Sequence, residues 1–210
     1  MIDRRQLLRG TSASLFGALA LTAVAGEQSL AEAAARHPHL DPHNPELLPN
    51  LSTVTEQLRP VVPSGLTAVE RAHLKTFDEL DFVVYSGQQW DRMIESHSRT
   101  IRVHNPDGTY TDGLDAHIEA LKFQFLWAPD TRVVQHPVKI AKGDLTAVVG
   151  IGVGTFSKPL PLPDGTAIPP TGKPFQFSMV TVGRWNRRGV MDEEFLYFDQ
   201  QSLQHQLGLA

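Results

Sequence analysis

The sequence predicts an α+β fold in which helices formed early in the chain pack on one face of a curved antiparallel sheet. Three observations carry this. Apolar residues recur in steps of three and four from Leu66 to Phe125, and after Asp130 they alternate. One alternating segment, LTAVVGIGVGTF, also sets Gly150, Gly152 and Gly154 on a single face, which lets a sheet curve tightly or a helix approach closely.

The chain has 210 residues, 41% hydrophobic and 20% charged, which is ordinary material for one globular domain. Its formal net charge is −4 and it has no Lys/Arg block that could track a phosphate backbone, so nucleic acid is not an expected partner. Cysteine is absent, which removes disulfides, thiolate metal sites, cysteine nucleophiles and a lipidated cysteine anchor.

Residues 1–25 read as an export signal rather than as fold. MIDRRQLLRG carries Arg4, Arg5 and Arg9, and the apolar run SLFGALALTAVA ends on small residues, Ala23-Val24-Ala25, suited to a signal peptidase. The Arg4-Arg5 pair followed by Leu7-Leu8 resembles a twin-arginine signal. The apolar run is shorter than the roughly 20 residues a membrane span needs, so export without stable membrane insertion is expected, to the periplasm or beyond. AEAAA offers a second cleavage point, after Ala35.

Residues 26–65 form a Pro-rich leader, with prolines at 38, 42, 45, 49, 60 and 63 denying backbone donors to helix and sheet. His37, His39 and His43, with Asp41, are suitable Zn or Cu ligands. A tail so interrupted gives ligands little support, and the stretch is read as solvated linker.

The ordered domain is expected over residues 66–210. Leu66, Val69, His73, Phe77 and Leu80 make the stripe of one amphipathic helix, and Trp90, Met93, Ile94 and His97 that of a second. His73 and His97, on apolar faces, read as core or boundary histidines. TIRVHNPDGTYTDG reads as strand, Pro-Asp-Gly turn and strand. A third helix runs from about Leu114 to Trp127, with Asp112 or Thr111 placed to cap it and Pro129 to end it.

In TRVVQHPVKIAK, alternation puts Val134, His136, Val138 and Ile140 on the core face unless Pro137 marks a bulge. In the glycine strand, Leu145, Ala147, Val149, Ile151 and Val153 oppose the glycines. No helix start or Lys-Ser/Thr follows these glycines, so a phosphate loop is rejected. A long Pro-rich loop, 157–173, has the size of a functional loop. Two strands joined at NRRG then lead to GVMDEEFLYFDQQSLQHQLGL, where Glu193, Phe195, Tyr197 and Asp199 share one face and Glu194, Leu196 and Phe198 the other. A sheet curved round its helices leaves a conical cavity, apolar with a few polar groups, suited to a small hydrophobic molecule.

APDTRV, KGDLTAVVGIGVGTF, PPTGKPFQFSMV and the closing segment, in this order and spacing, resemble the SnoaL-like polyketide cyclase or ester cyclase group of the nuclear transport factor 2-like superfamily. VHNPDG fits that group's strand and turn, with Asn105 where aspartate is common, and GTFSKP departs from its polar Gly-Thr-His-Thr-Gly. The resemblance implies a cone-shaped α+β barrel, often a homodimer through its sheet. It also implies an acid/base group that takes a proton from carbon beside a carbonyl, with no metal or organic cofactor. On that analogy Asp199 is the expected base, with His104 and His136 as acid or oxyanion partners and Tyr197 as a further donor. Each has a structural alternative: Asp199 as the cap of the final helix, His104 as a turn residue, His136 as a packed histidine. Two functions follow, an exported enzyme acting on a hydrophobic carbonyl compound or a non-catalytic binding protein on the same fold. A third, metal carriage by His37, His39 and His43, would depend on the leader alone.

Overall fold

The first helix, α1 (Ala68–Glu79), starts in a reciprocal cap. The Glu70 backbone N–H donates to Thr67 Oγ1 at 3.2 Å, and the Thr67 N–H donates to Glu70 Oε2 at 2.7 Å. Two of the donors a helix start leaves open are thereby satisfied. The second Glu70 oxygen accepts from Gly143 N–H at 2.8 Å, fastening the helix to the turn between two later strands. That bond, and the one from Thr67, hold the Glu70 carboxyl below its ordinary pKa, so its stabilisation is present above the unfolded pKa and fades as pH falls through the folded one. Thr67→Ala is expected to cost about 1 kcal/mol, read from the urea midpoint at neutral pH.

The structure, a computed structural model, describes residues 60–209. The segment expected to be an export signal, nearly all of the Pro-rich leader, and His37, His39 and His43 lie outside the described residues. Val61, which the sequence reading assigned to the leader, donates its N–H to Pro137 O at 2.7 Å and accepts from Lys139 N–H at 2.9 Å. It thus lies against the strand carrying those residues.

The helical stripe does not stop at Leu80. A wider, π-helical stretch, Leu80–Tyr85, follows α1 and buries Leu80, Asp81, Val84 and Tyr85 together. Such turns widen a helix locally and are frequent at functional sites. The second predicted helix is corrected: Trp90–Glu95 is a short 3₁₀ turn, and His97 opens strand β1 (His97–His104). The reason is sheet pairing. Met191 N–H donates to Ser96 O at 2.8 Å and draws the chain out of the turn into the sheet before another helical turn can form.

β1 turns at Asn105–Gly108 into β2 (Tyr110–Asp112), and α2 (Leu114–Trp127) has the bounds its spacing predicts. Its start is Gly113, without the side-chain cap expected from Asp112 or Thr111. Both residues are held in β2, where the Asp112 carboxylate accepts from Arg102 at 2.7 and 2.9 Å.

β3 (Arg132–Lys142), β4 (Leu145–Thr155), β7 (Pro174–Trp185) and β8 (Met191–Phe198) complete a six-stranded sheet of order β2-β1-β8-β7-β4-β3. All pairs are antiparallel except β1 with β8. The 157–173 loop folds into the small β5 (Leu160–Pro161) and β6 (Ala167–Ile168) pair, and α3 (Gln200–Leu207) closes against β7 through two 2.8 Å bonds between Gln206 and the Gln176 backbone.

The expected β3 face changes, and the inner face of β4 is decided. The β3 register slips twice, between Val133 and Gln135 and again before Val138, so Val133, His136 and Ala141 are buried while Ile140 stays 47% exposed. On β4 the glycine face is the inner one. Gly150, Gly152 and Gly154 lie under Met179, Phe177 and Phe175 of β7, and Leu145 is 43% exposed. Bulky β7 side chains need the space that a β4 Cβ would occupy.

Candidate functional site

The alternation of β8 is what builds the site. Glu194, Leu196 and Phe198 point inward, beside Phe177, Met179 and Thr181 of β7, while Asp81 and Tyr85 of the π stretch and His117 of α2 close the other side. Together they enclose a mainly apolar cavity of about 50 Å³, taken as the space open to the centre of a water-sized sphere. That is several times what one water requires.

Three of the four residues expected from the sequence lie on the opposite side of the sheet, Tyr197 and Asp199 on and just after β8 and His104 on the neighbouring β1, so their placement departs from the expectation of a shared pocket. Asp199 accepts from Ser202 N–H at 3.0 Å and caps α3. Tyr197 is 55% exposed. His104 stacks on Phe195 with ring centroids 4.2 Å apart, its Nε2 2.9 Å from Glu193 Oε1, and Arg184 Nη1 lies 2.8 Å from the other Glu193 oxygen. The cause is a period of exactly two residues: when Glu194 faces in, Glu193, Phe195, Tyr197 and Asp199 cannot.

His136 is the expected residue that does reach the cavity's chemistry. Its Nε2 lies 2.8 Å from Asp81 Oδ2, its Nδ1 lies 2.8 Å from Asp78 Oδ1, and Lys139 Nζ donates to Asp78 Oδ2 at 2.6 Å. These four side chains form a line from the cavity wall toward solvent. Burial pushes the Asp81 carboxyl above its ordinary pKa, with His136 only partly offsetting it. Asp78 is held below its ordinary value: burial opposes ionisation, but His136 and Lys139 outweigh it. Burial opposes the charge on His136 as well, and its bonds to Asp78 and Asp81 win, raising its pKa. An imidazolium there donates to both carboxylates.

A second polar group faces Asp81 across the cavity. Glu194 Oε2 lies 3.2 Å from His97 Nε2 and 3.7 Å from His117 Nε2, all three residues being buried. Burial lowers the His117 pKa to about 4, leaving it neutral at pH 7. Glu194 sits below its ordinary value, because the two histidines against it outweigh the burial that opposes its ionisation. The cavity therefore holds two carboxylates pushed apart in pKa, an arrangement suited to acid/base work.

Residues 61–207 match the SnoaL-like polyketide cyclase family. The chain belongs to that family. No curated protein matches this sequence. Among solved structures, this SnoaL-like chain is similar to wild-type IdmH from Streptomyces antibioticus, at 23% identity and a TM-score of 0.54 over 65% of this chain and 98% of that one. It is also similar to a protein from Jannaschia sp. CCS1 named as a SnoaL-like polyketide cyclase, at 18% identity and a TM-score of 0.60, covering 70% and 99%. TsrD from Streptomyces laurentii is a third, at 17% identity and a TM-score of 0.56, covering 67% and 98%. At these identities the likeness bears on fold, and it agrees with the mainly antiparallel six-stranded sheet and its helices described above.

Four cavity residues, Asp81, His97, His117 and Glu194, were not among the sequence candidates. A signal existed for two of them. Asp81 is a carboxylate within the apolar run LDFVVY, and His117 lies in the apolar stripe of α2 between Leu114 and Leu121. Each is a polar group where the periodicity asks for an apolar one.

Proposed function

We propose that this SnoaL-like protein is an exported acid/base enzyme that removes a proton from carbon beside the carbonyl of a small hydrophobic compound, in a cyclase- or isomerase-type reaction. The observation that carries the reading is Asp81: a carboxyl with a raised pKa, in the wall of an apolar cavity, joined through His136 to Asp78 and Lys139. A base lifted toward neutrality retains the driving force to take a proton from carbon. The Asp81–His136–Asp78 line then offers that proton a route toward solvent. Across the cavity, neutral His117, which lines the wall and has no hydrogen bond to Glu194, is placed to donate an N–H to the carbonyl oxygen as negative charge develops.

The twin-arginine-like residues Arg4 and Arg5 support export. Pairing of two copies through the outer sheet face is supported by the neighbouring, exposed Val180 and Tyr197 of β7 and β8. The equilibrium molar mass of the protein in solution checks that pairing.

The reading is tested by following α-hydrogen exchange of small apolar ketones and β-keto esters in D₂O by NMR. Exchange above the buffer rate supports the enzyme. Compounds that bind without exchange indicate a non-catalytic binding protein on the same cone. A pH profile adds a second check. His136 places positive charge beside Asp81 and so holds its pKa down, which means His136→Gln raises the Asp81 pKa further. The acid limb of the exchange rate is therefore expected to move to higher pH in that variant, while an unmoved limb would remove Asp81 as the titrating base.

A further inference from the structure

We propose that His97, His117 and Glu194 form a binding site for one divalent transition-metal ion, Zn²⁺ in chemical type, with its open coordination position turned into the cavity.

His97 Nδ1 lies 2.8 Å from Ser96 Oγ and 3.3 Å from the Met93 carbonyl oxygen, and Ser96 Oγ lies 3.2 Å from that same oxygen. The carbonyl only accepts, whereas the serine hydroxyl can donate either to it or to His97 Nδ1, so both neutral tautomers of His97 satisfy this side of the ring. Without metal, the tautomer with hydrogen on Nε2 donates to Glu194 Oε2 at 3.2 Å; in the other, Nδ1 donates outward and the Nε2 lone pair is free to bind a cation. His117 Nε2 stands 3.7 Å from the same oxygen, too far for a hydrogen bond, and its Nδ1 finds no partner among the described residues. Two ring nitrogens and a carboxylate oxygen thus converge, and no hydrogen bond from His117 joins them.

A cation resolves this. The three ligand atoms all lie within 4.8 Å of one another. Bonds of about 2.0–2.2 Å to a tetrahedral ion place its ligands roughly 3.3–3.5 Å apart, and the observed 3.2 and 3.7 Å bracket that spacing. Two imidazoles and one carboxylate are a borderline donor set of the kind found at catalytic zinc, where the fourth position stays open. The Ser96 and Met93 contacts to His97 Nδ1 supply the outer hydrogen bond that orients a metal-ligating histidine. The ligands come from β1, α2 and β8, so the fold rather than a local motif assembles them.

Metal binding stands independently of the proposed reaction. If the reaction holds, the ion takes a lone pair of the carbonyl oxygen and stabilises the charge left when Asp81 removes the neighbouring proton. That departs from the metal-free chemistry expected from the family resemblance.

The test uses the full chain stripped with a chelator and titrated with Zn²⁺ alone, then with Co²⁺. One tightly bound equivalent is expected, with a tetrahedral Co²⁺ absorption spectrum. His117→Gln is expected to weaken Zn²⁺ binding by more than about 100-fold, beyond the loss typical for an outer contact. Replacing His37, His39 and His43 together by Ala is expected to leave the equivalent in place. Absence of a tight equivalent in the parent protein, an octahedral Co²⁺ spectrum, or loss of the metal with the leader histidines overturns the proposal. The Co²⁺ spectrum is read on unsubstituted protein, so it decides the matter even if His117→Gln fails to fold. Stoichiometry is read without a ketone present, so a failed exchange assay and a failed metal site remain separate results.

Discussion

Asp81→Asn is expected to lower α-hydrogen exchange by about 10²–10⁴-fold while ligand affinity changes little, because asparagine keeps the shape of the side chain and cannot accept the proton. The buried carboxyl has a raised pKa, so its ionised form is disfavoured in the folded protein. A raised folded pKa contributes stability below the unfolded pKa and loses it as pH rises through the folded value. Asparagine removes this pH-dependent disadvantage, so the urea midpoint at neutral pH is expected to be no lower than that of the parent protein. The paired control is Asp199. Asp199→Asn is expected to leave exchange and stability near the parent values, since asparagine caps a helix as well as aspartate does. Rates from the two variants in one assay decide between the carboxylates, and the reverse pattern would return the base to the outer end of β8.

Gly152→Ala is expected to close the cavity from its β4 side. A Cβ on Gly152 would lie 2.3 Å from Phe177 Cζ and 2.5 Å from Cε1, closer than side chains tolerate, so the Phe177 ring has to move. That ring already lines a cavity of only about 50 Å³. Overpacking of this kind costs about 1–3 kcal/mol of stability. Displacement of the ring into the cavity is expected to weaken ligand binding by more than about tenfold, or about 1.4 kcal/mol. Urea unfolding and ligand titration on the same preparation measure both effects. Unchanged affinity would mean that ligands enter elsewhere.

Much of the fold was legible because its signals are local. The α2 stripe of Leu114, Ile118, Leu121 and Phe125 predicted a helix with the observed bounds, and the alternation of Phe175, Phe177 and Met179 with Gln176 and Ser178 marked a strand, which is β7. The π stretch was missed because its apolar residues satisfy an ordinary helical stripe equally well. The β3 face was misread because bulges shift a period of two without leaving a periodic trace, although Pro137 marked the place. The second helix failed for a different reason: Trp90, Met93, Ile94 and His97 have helical spacing, but pairing of Ser96 and His97 with Met191 competes for the same backbone.

By itself, then, the sequence determined the helix-then-sheet order, the family and the two alternating sets of residues on β8. It could not say which set faces inward, since a strand's alternation is symmetric until a helix covers one side. The tertiary structure made that choice by packing the π stretch and α2 over Glu194, Leu196 and Phe198. The same choice sent Asp199 to the helix cap and brought Asp81, His97 and His117, separated along the chain, to one cavity. Residues so placed share no spacing that a sequence pattern records, because their proximity belongs to the packing of three elements and not to any one of them.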